Sequence, residues 1–158
     1  MKTTLENAKE RSHQDTVNVL QDLLEKNYDA EKGYKQAMQD AKNPALKNFL
    51  QQQALQRSNF ATAIDKELHN LDEKPIEKGS IAGALHRAWI DIKSSVAGNE
   101  DEAVLEEVIR GEKSSVNEYQ NVINNNTFLT PQINSLLKSQ LNTIQDTLNH
   151  VKTLEDIA

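Results

Sequence analysis

Apolar residues recur along this chain at steps of three and four, the spacing of one face of an α-helix, and β-branched residues are scattered rather than gathered into strand-like runs. Four seams stand out. The first reads Val17, Leu20, Leu24, Asn27, Glu31, Tyr34, Met38, and the second Leu46, Leu50, Gln53, Arg57, Phe60, Ile64, Leu68, Leu71. The third reads Leu105, Val108, Glu112, Ser115, Tyr119, Val122, and the last Ile133, Leu137, Leu141, Ile144, Leu148, Val151, Leu154. Helix punctuation marks their ends. Pro44 after Asn43 suits the first position of a helix, and Thr130-Pro131 reads as an N-cap with a first-turn proline. Ser12 with Asp15, and Asn99 with Glu102, have the spacing of a capping box. Residues 1–12 are polar and aperiodic, which predicts a frayed or disordered arm and leaves 13–158 as the bundle.

Connection lengths predict the topology. Short turns join the first seam to the second and the third to the fourth, so each pair forms an antiparallel hairpin. Between the hairpins lie roughly 25 to 30 residues, enough at about 1.5 Å per helical residue to cross the length of a bundle. This link carries its own amphipathic helix, with Ile81, Leu85, Trp89, Ile92 and Val96 on one side and Gly98 after it. The expected fold is therefore all-α, a four-helix bundle of ferritin-like topology with a long crossover and an extra helix between helices two and three. Gly79, Ser80 and Gly83 let the crossover lie close, with Arg87 beside them, and Trp89 fills the largest gap. An anion site at the Gly79-Ser80 helix start, assisted by Arg87, is the functional alternative.

An internal repeat points to the candidate chemistry. Leu24-Glu25-Lys26-Asn27-Tyr28-Asp29-Ala30-Glu31-Lys32 returns as Leu105-Glu106-Glu107-Val108-Ile109-Arg110-Gly111-Glu112-Lys113, with Leu, Glu, a small residue, Glu and Lys in register. Glu31, Arg57 and Glu112 each fall near the middle of an apolar stripe, where a charge needs a partner. His150 lies at the edge of its stripe. Two readings compete. In di-metal carboxylate bundles, two helices each supply one Glu and two supply a Glu-x-x-His pair. Glu31 and Glu112 fit the single Glu positions, with His150 as a third ligand of a vestigial centre for iron or manganese. Thr147 and Ala54 stand where the paired Glu residues belong, and Arg57 replaces a His. A guanidinium has no lone pair to give a metal, but it binds carboxylates well. The second reading is thus a metal-free buried polar cluster of Glu31, Arg57 and Glu112, completed by Gln53, Asn27, Tyr34 and His150. Its excess negative charge would require a protonated carboxylate or a cationic His150.

Composition narrows the classes. The 158 residues suit one domain, and a net charge of -6 with no basic stripe argues against nucleic acid. No cysteine is present, so disulfides and thiol chemistry are excluded. Neither an apolar leader nor a membrane-length stretch is seen, so the expected compartment is the cytoplasm and no membrane partner is implied. His13, His69 and His86 lack partners at ligand spacing and read as surface residues.

Asn27-Tyr28-Asp29-Ala30-Glu31-Lys32-Gly33-Tyr34, Arg57 to Phe60, Gly79-Ser80-x-x-Gly83 through Arg87-x-Trp89, Arg110-Gly111-Glu112 and His150 together resemble a bacterial family of uncharacterised four-helix-bundle proteins, a domain-of-unknown-function family. The resemblance implies a ferritin-like fold and a bacterial, stress-associated setting, without an established reaction. Ferritin-like domains often dimerise, so a homodimer is the partner this fold implies. The functional expectation is a metal-free or metal-poor protein that acts by binding or assembly, with the question of catalysis left open. A degenerate di-iron or di-manganese oxidoreductase and an iron-storage protein are the alternatives.

Overall fold

The computed structural model describes residues 1–78 and 101–158. These residues hold four α-helices and no strand: α1 (Thr4–Asp40), α2 (Pro44–Asn70), α3 (Asp101–Asn125) and α4 (Pro131–His150), followed by a short 3-10 turn, Leu154–Ile157. The described residues are all-α. The crossover helix, its Gly79, Ser80, Gly83, Arg87 and Trp89, the Gly79-Ser80 anion site and the Asn99 cap lie outside the described residues, as does His86.

Local chemistry sets the helix ends. Asn43 caps α2, its side chain accepting from the Ala45 and Leu46 amides, and Pro44 follows at the first turn. Thr130 caps α4 in the same way, accepting from the Ile133 amide before Pro131. At the far end of α2 the Glu73 amide reaches back to the Leu68 carbonyl and the Asp72 amide to that of His69. This is a Schellman stop, and it places Asp72 in the left-handed region at φ 59°. The start of α1 differs from the sequence expectation. It begins at Thr4, where Thr3 and Glu6 form a reciprocal capping box in place of one at Ser12 and Asp15, and residues 4–11 are helical and exposed. Ser12 is an interior residue whose carbonyl accepts from the Thr16 hydroxyl. The last seam also ends sooner than its apolar spacing suggests. α4 stops at His150, and Val151 and Leu154 lie beyond it.

Hydrogen bonds between helices give their directions. Asn27 meets Tyr119 and Tyr34 meets Glu112, so α1 and α3 are antiparallel. Phe60 meets Gln140 and Glu67 meets Gln132, so α2 and α4 are antiparallel. Asp101 takes the Lys42 and Asn43 amides at 2.8 and 2.9 Å, fastening the α1–α2 turn to the first residues of α3. α2 and α3 therefore run in the same direction. After α2 the chain turns back along α1. Glu73 faces His13, the Lys74 carbonyl and Ile76 amide pair with Gln21, and Lys78 reaches Glu31.

The apolar core falls into two clusters. One gathers Ala30, Ala37, Leu46, Leu50, Val104, Leu105 and Val108 near the α1–α2 turn, with Val151, Leu154 and Ile157 packed on it. The other gathers Leu20, Leu23, Leu24, Ile64, Leu68, Leu137, Leu141 and Ile144. α4 supplies no buried residue to the first cluster, and the chain after it folds in to cover that end. Among the described residues, no helix is long and apolar enough to cross a membrane.

Candidate functional site: a buried polar layer between two apolar clusters

Between the two clusters lies a layer of polar side chains drawn from all four helices. Its centre is Arg57, the largest fully buried side chain among the described residues, which like Glu112 is 1% exposed. Arg57 Nη2 donates to Glu112 Oε1 at 2.8 Å, and the Tyr34 hydroxyl donates to the same oxygen. Arg57 Nη1 donates to Asn27 Oδ1 at 3.1 Å. The chain of bonds continues from there. Asn27 Nδ2 donates to the Leu23 carbonyl and to Tyr119 Oη, at 2.8 and 2.9 Å. Tyr119 Oη donates to Gln140 Oε1 at 2.6 Å, and Gln140 Nε2 closes on the Phe60 carbonyl at 3.2 Å. The guanidinium also lies 5.9 Å from the centre of the Phe60 ring. Each helix gives at least one member, so the network ties the four together.

The electrostatics follow from this enclosure. Burial works against the Arg57 charge, but the adjacent Glu112 carboxylate, with Tyr34 and Tyr119 adding to it, more than offsets burial and raises the guanidinium above its ordinary value. Burial, and then the Glu112 charge, push the Tyr34 hydroxyl well above the usual phenol range. Burial lifts Tyr119 to about 12, against the opposing pull of Arg57 and Asn27. Both tyrosines therefore stay neutral donors at physiological pH.

Glu31 does not join this pair. Its side chain is buried, but Oε2 accepts from Lys35 Nζ at 2.6 Å and from Lys78 Nζ. Burial alone would raise its carboxyl, and the two lysines reverse that, holding it below the usual glutamate value. The expected Glu31–Arg57–Glu112 triad is thus two separate sites: Arg57 neutralises Glu112, while lysines neutralise Glu31. That removes the excess negative charge which required a protonated carboxylate or a cationic histidine. His150 has no part in either site. It is exposed at the last turn of α4, with Nδ1 2.7 Å from the Asp146 carbonyl. Gln53 is buried, and its Oε1 has no partner among the described residues.

Sequence reasoning misses three participants. Gln140 carries a readable signal, since it lies three residues from Leu137 and four from Ile144 on the buried face of α4. Lys35 is four residues after Glu31, an ordinary helical ion-pair spacing. Lys78 sits in an aperiodic segment, and nothing local announces it. Tyr119 is recognised as core but is also the hinge between Asn27 and Gln140.

As a di-metal centre the layer fits poorly. Glu112 already holds a guanidinium and a phenol, Glu31 holds two ammonium groups, and His150 is exposed and contacts the Asp146 carbonyl instead. Arg57 at the centre would repel a cation and cannot ligate one. Among the described residues, no three His, Asp or Glu side chains stand close enough to share an ion.

No curated protein matches the chain. A family model does, over residues 15–125, a span that takes in Asn27, Glu31, Tyr34, Arg57, Glu112 and Tyr119. The chain belongs to that family, described as a domain of unknown function (DUF2383).

Proposed function

We propose that this chain is a ferritin-like bundle in which a buried Arg57–Glu112 pair stands where relatives by fold hold metal, and that it works by binding or assembly rather than catalysis. The observation that carries this reading is the fully buried guanidinium at the centre of the layer, bonded to the one carboxylate that faces it. Such a pair fixes which helices meet and in what register, a role for which buried polar groups are well attested. In it Glu112 Oε1 is occupied by Arg57 and by the Tyr34 hydroxyl.

The ferritin-like connection draws support from two features. α2 and α3 run in the same direction, which requires a link that returns along the bundle. Residues 73–78 already travel along α1 from His13 to Glu31, the direction such a link must take. The bacterial, stress-associated and cytoplasmic setting rests on the family resemblance and the cysteine-free composition. A net charge of -6 speaks against nucleic acid as the partner, and a second copy of the chain is the partner this fold favours.

One observation favours a second reading, a degenerate di-iron or di-manganese oxidoreductase or an iron-storage protein. Glu31 Oε1 and Glu112 Oε2 are buried acceptors without partners among the described residues. Titration with Fe(II) and Mn(II) under anaerobic conditions separates the two. The metal-free reading expects an unchanged Tm at every metal concentration. A Tm that climbs with metal, as ligand linkage requires of a true site, supports the second reading. Cage-sized particles in light scattering would mark storage.

A further inference from the structure

The described residues do not use up the hydrogen-bonding capacity of the polar layer. Glu112 takes both Tyr34 and Arg57 on Oε1, and its Oε2 has no partner among the described residues. Arg57 spends Nη1 on Asn27 and Nη2 on Glu112, and its Nε–H is unpartnered too. One helical turn before Arg57, Gln53 Oε1 is buried with no donor among the described residues. All three residues are more than nine-tenths buried.

Backbone direction brings these groups toward one level. Helical side chains lean toward the N-terminus of their helix. Arg57 therefore runs back past the Gln53 turn, and on the parallel α3 it meets Glu112. The unmet set around Arg57 is one donor and two acceptors, and such groups resist burial without a partner.

We propose that a single buried water molecule completes this layer, accepting from Arg57 Nε–H and donating to Glu112 Oε2 and Gln53 Oε1. Hydrogen-bond valence selects it. One water oxygen accepts while giving two protons, which matches the unmet set. An alcohol gives only one proton, and a halide gives none. A metal ion or an ammonium has no lone pair for the Nε–H, and either would add positive charge beside Arg57. The water draws Gln53 into the network and holds the Glu112 carboxylate in the rotamer that receives Tyr34. The inference rests on the metal-free reading of the layer, because an ion on Glu112 Oε2 would displace the water.

A high-resolution crystal structure of the intact chain tests it, with data collected on both sides of the iron and manganese absorption edges. The expected result is one oxygen-sized peak within ~3.2 Å of all three atoms and no anomalous signal. The peak should disappear in Gln53→Leu. In solution, the Arg57 Hε proton should show cross-relaxation to a bound water, lost in the same variant. Absence of the peak, with Gln53 Oε1 accepting directly from Arg57 Nε, overturns the water and leaves the metal-free reading intact. An anomalous scatterer on Glu112 overturns both.

Discussion

Replacing Arg57 with methionine removes the cation that pairs with Glu112 among the described residues while keeping an unbranched apolar stem of similar reach. Both partners are 1% exposed, so water cannot take over from the lost charge. Glu112 keeps the Tyr34 hydroxyl, but it becomes an uncompensated buried carboxylate, and Asn27 Oδ1 loses its donor. Removing one partner of a buried pair in this way costs roughly 3 to 5 kcal/mol. At about 2–4 °C per kcal/mol for a chain of this size, the Tm should fall by roughly 6 to 20 °C. Adding Glu112→Gln should restore more than half of the loss, because the amide is neutral and its carbonyl still accepts from Tyr34. The assay is urea unfolding followed by far-ultraviolet circular dichroism on the wild type, both single variants and the double. A coupling energy near zero, or an Arg57→Met cost below ~1 kcal/mol, would refute the reasoning, since that is how an exposed pair behaves.

Tyr119 bears on alkaline stability. Its folded pKa, about 12, lies above the unfolded value of 10.0, so its contribution is complete below pH 10 and is lost as pH rises toward 12. That window should cost about 2–3 kcal/mol, and Tyr119→Phe should flatten the alkaline limb of a stability–pH profile. Glu31 acts at the other end, since its folded pKa is depressed below 4.5. Stability from its lysine partners is present above that value and drains away in acid, so Glu31→Gln should lose stability near neutrality and converge with wild type in acid. Lys78→Ala should cost less than ~1 kcal/mol globally, because Lys78 is half-exposed, yet raise hydrogen exchange at Ile76 by loosening residues 73–78 on α1. Asn43→Ala removes the α2 cap and should cost about 1 kcal/mol in the same unfolding assay.

The helices were largely legible because their apolar seams bury as the spacing requires. Leu20, Leu24, Leu46, Leu50, Leu105, Val108, Leu137 and Ile144 all lie in the core. The start of α1 was hidden for a physical reason. Residues 4–12 bury nothing, so no apolar stripe marks them, and helix there depends on the Thr3–Glu6 cap and continuity with the buried turns beyond. At the other end, Val151 and Leu154 keep a helical step but pack after the chain has left α4, which drew His150 into a seam it does not face.

The site was legible as a set of residues and less so as a set of pairs. A charge in an apolar stripe must be satisfied, and that principle picks out Glu31, Arg57 and Glu112 without any structure. Which partner satisfies each depends on side-chain direction and on chain far away in sequence. Arg57 reaches Glu112 and Asn27, whereas Glu31 finds Lys35 one turn on and Lys78 in the segment after α2.

Elemental analysis addresses the central claim most directly. The chain is produced in cells supplied with iron and manganese, purified without chelators, and assayed for iron, manganese and zinc per polypeptide alongside Arg57→Met. A layer built on the Arg57–Glu112 pair predicts only trace metal in the wild type. About two ions per wild-type chain, the stoichiometry of a di-metal carboxylate bundle, would contradict it.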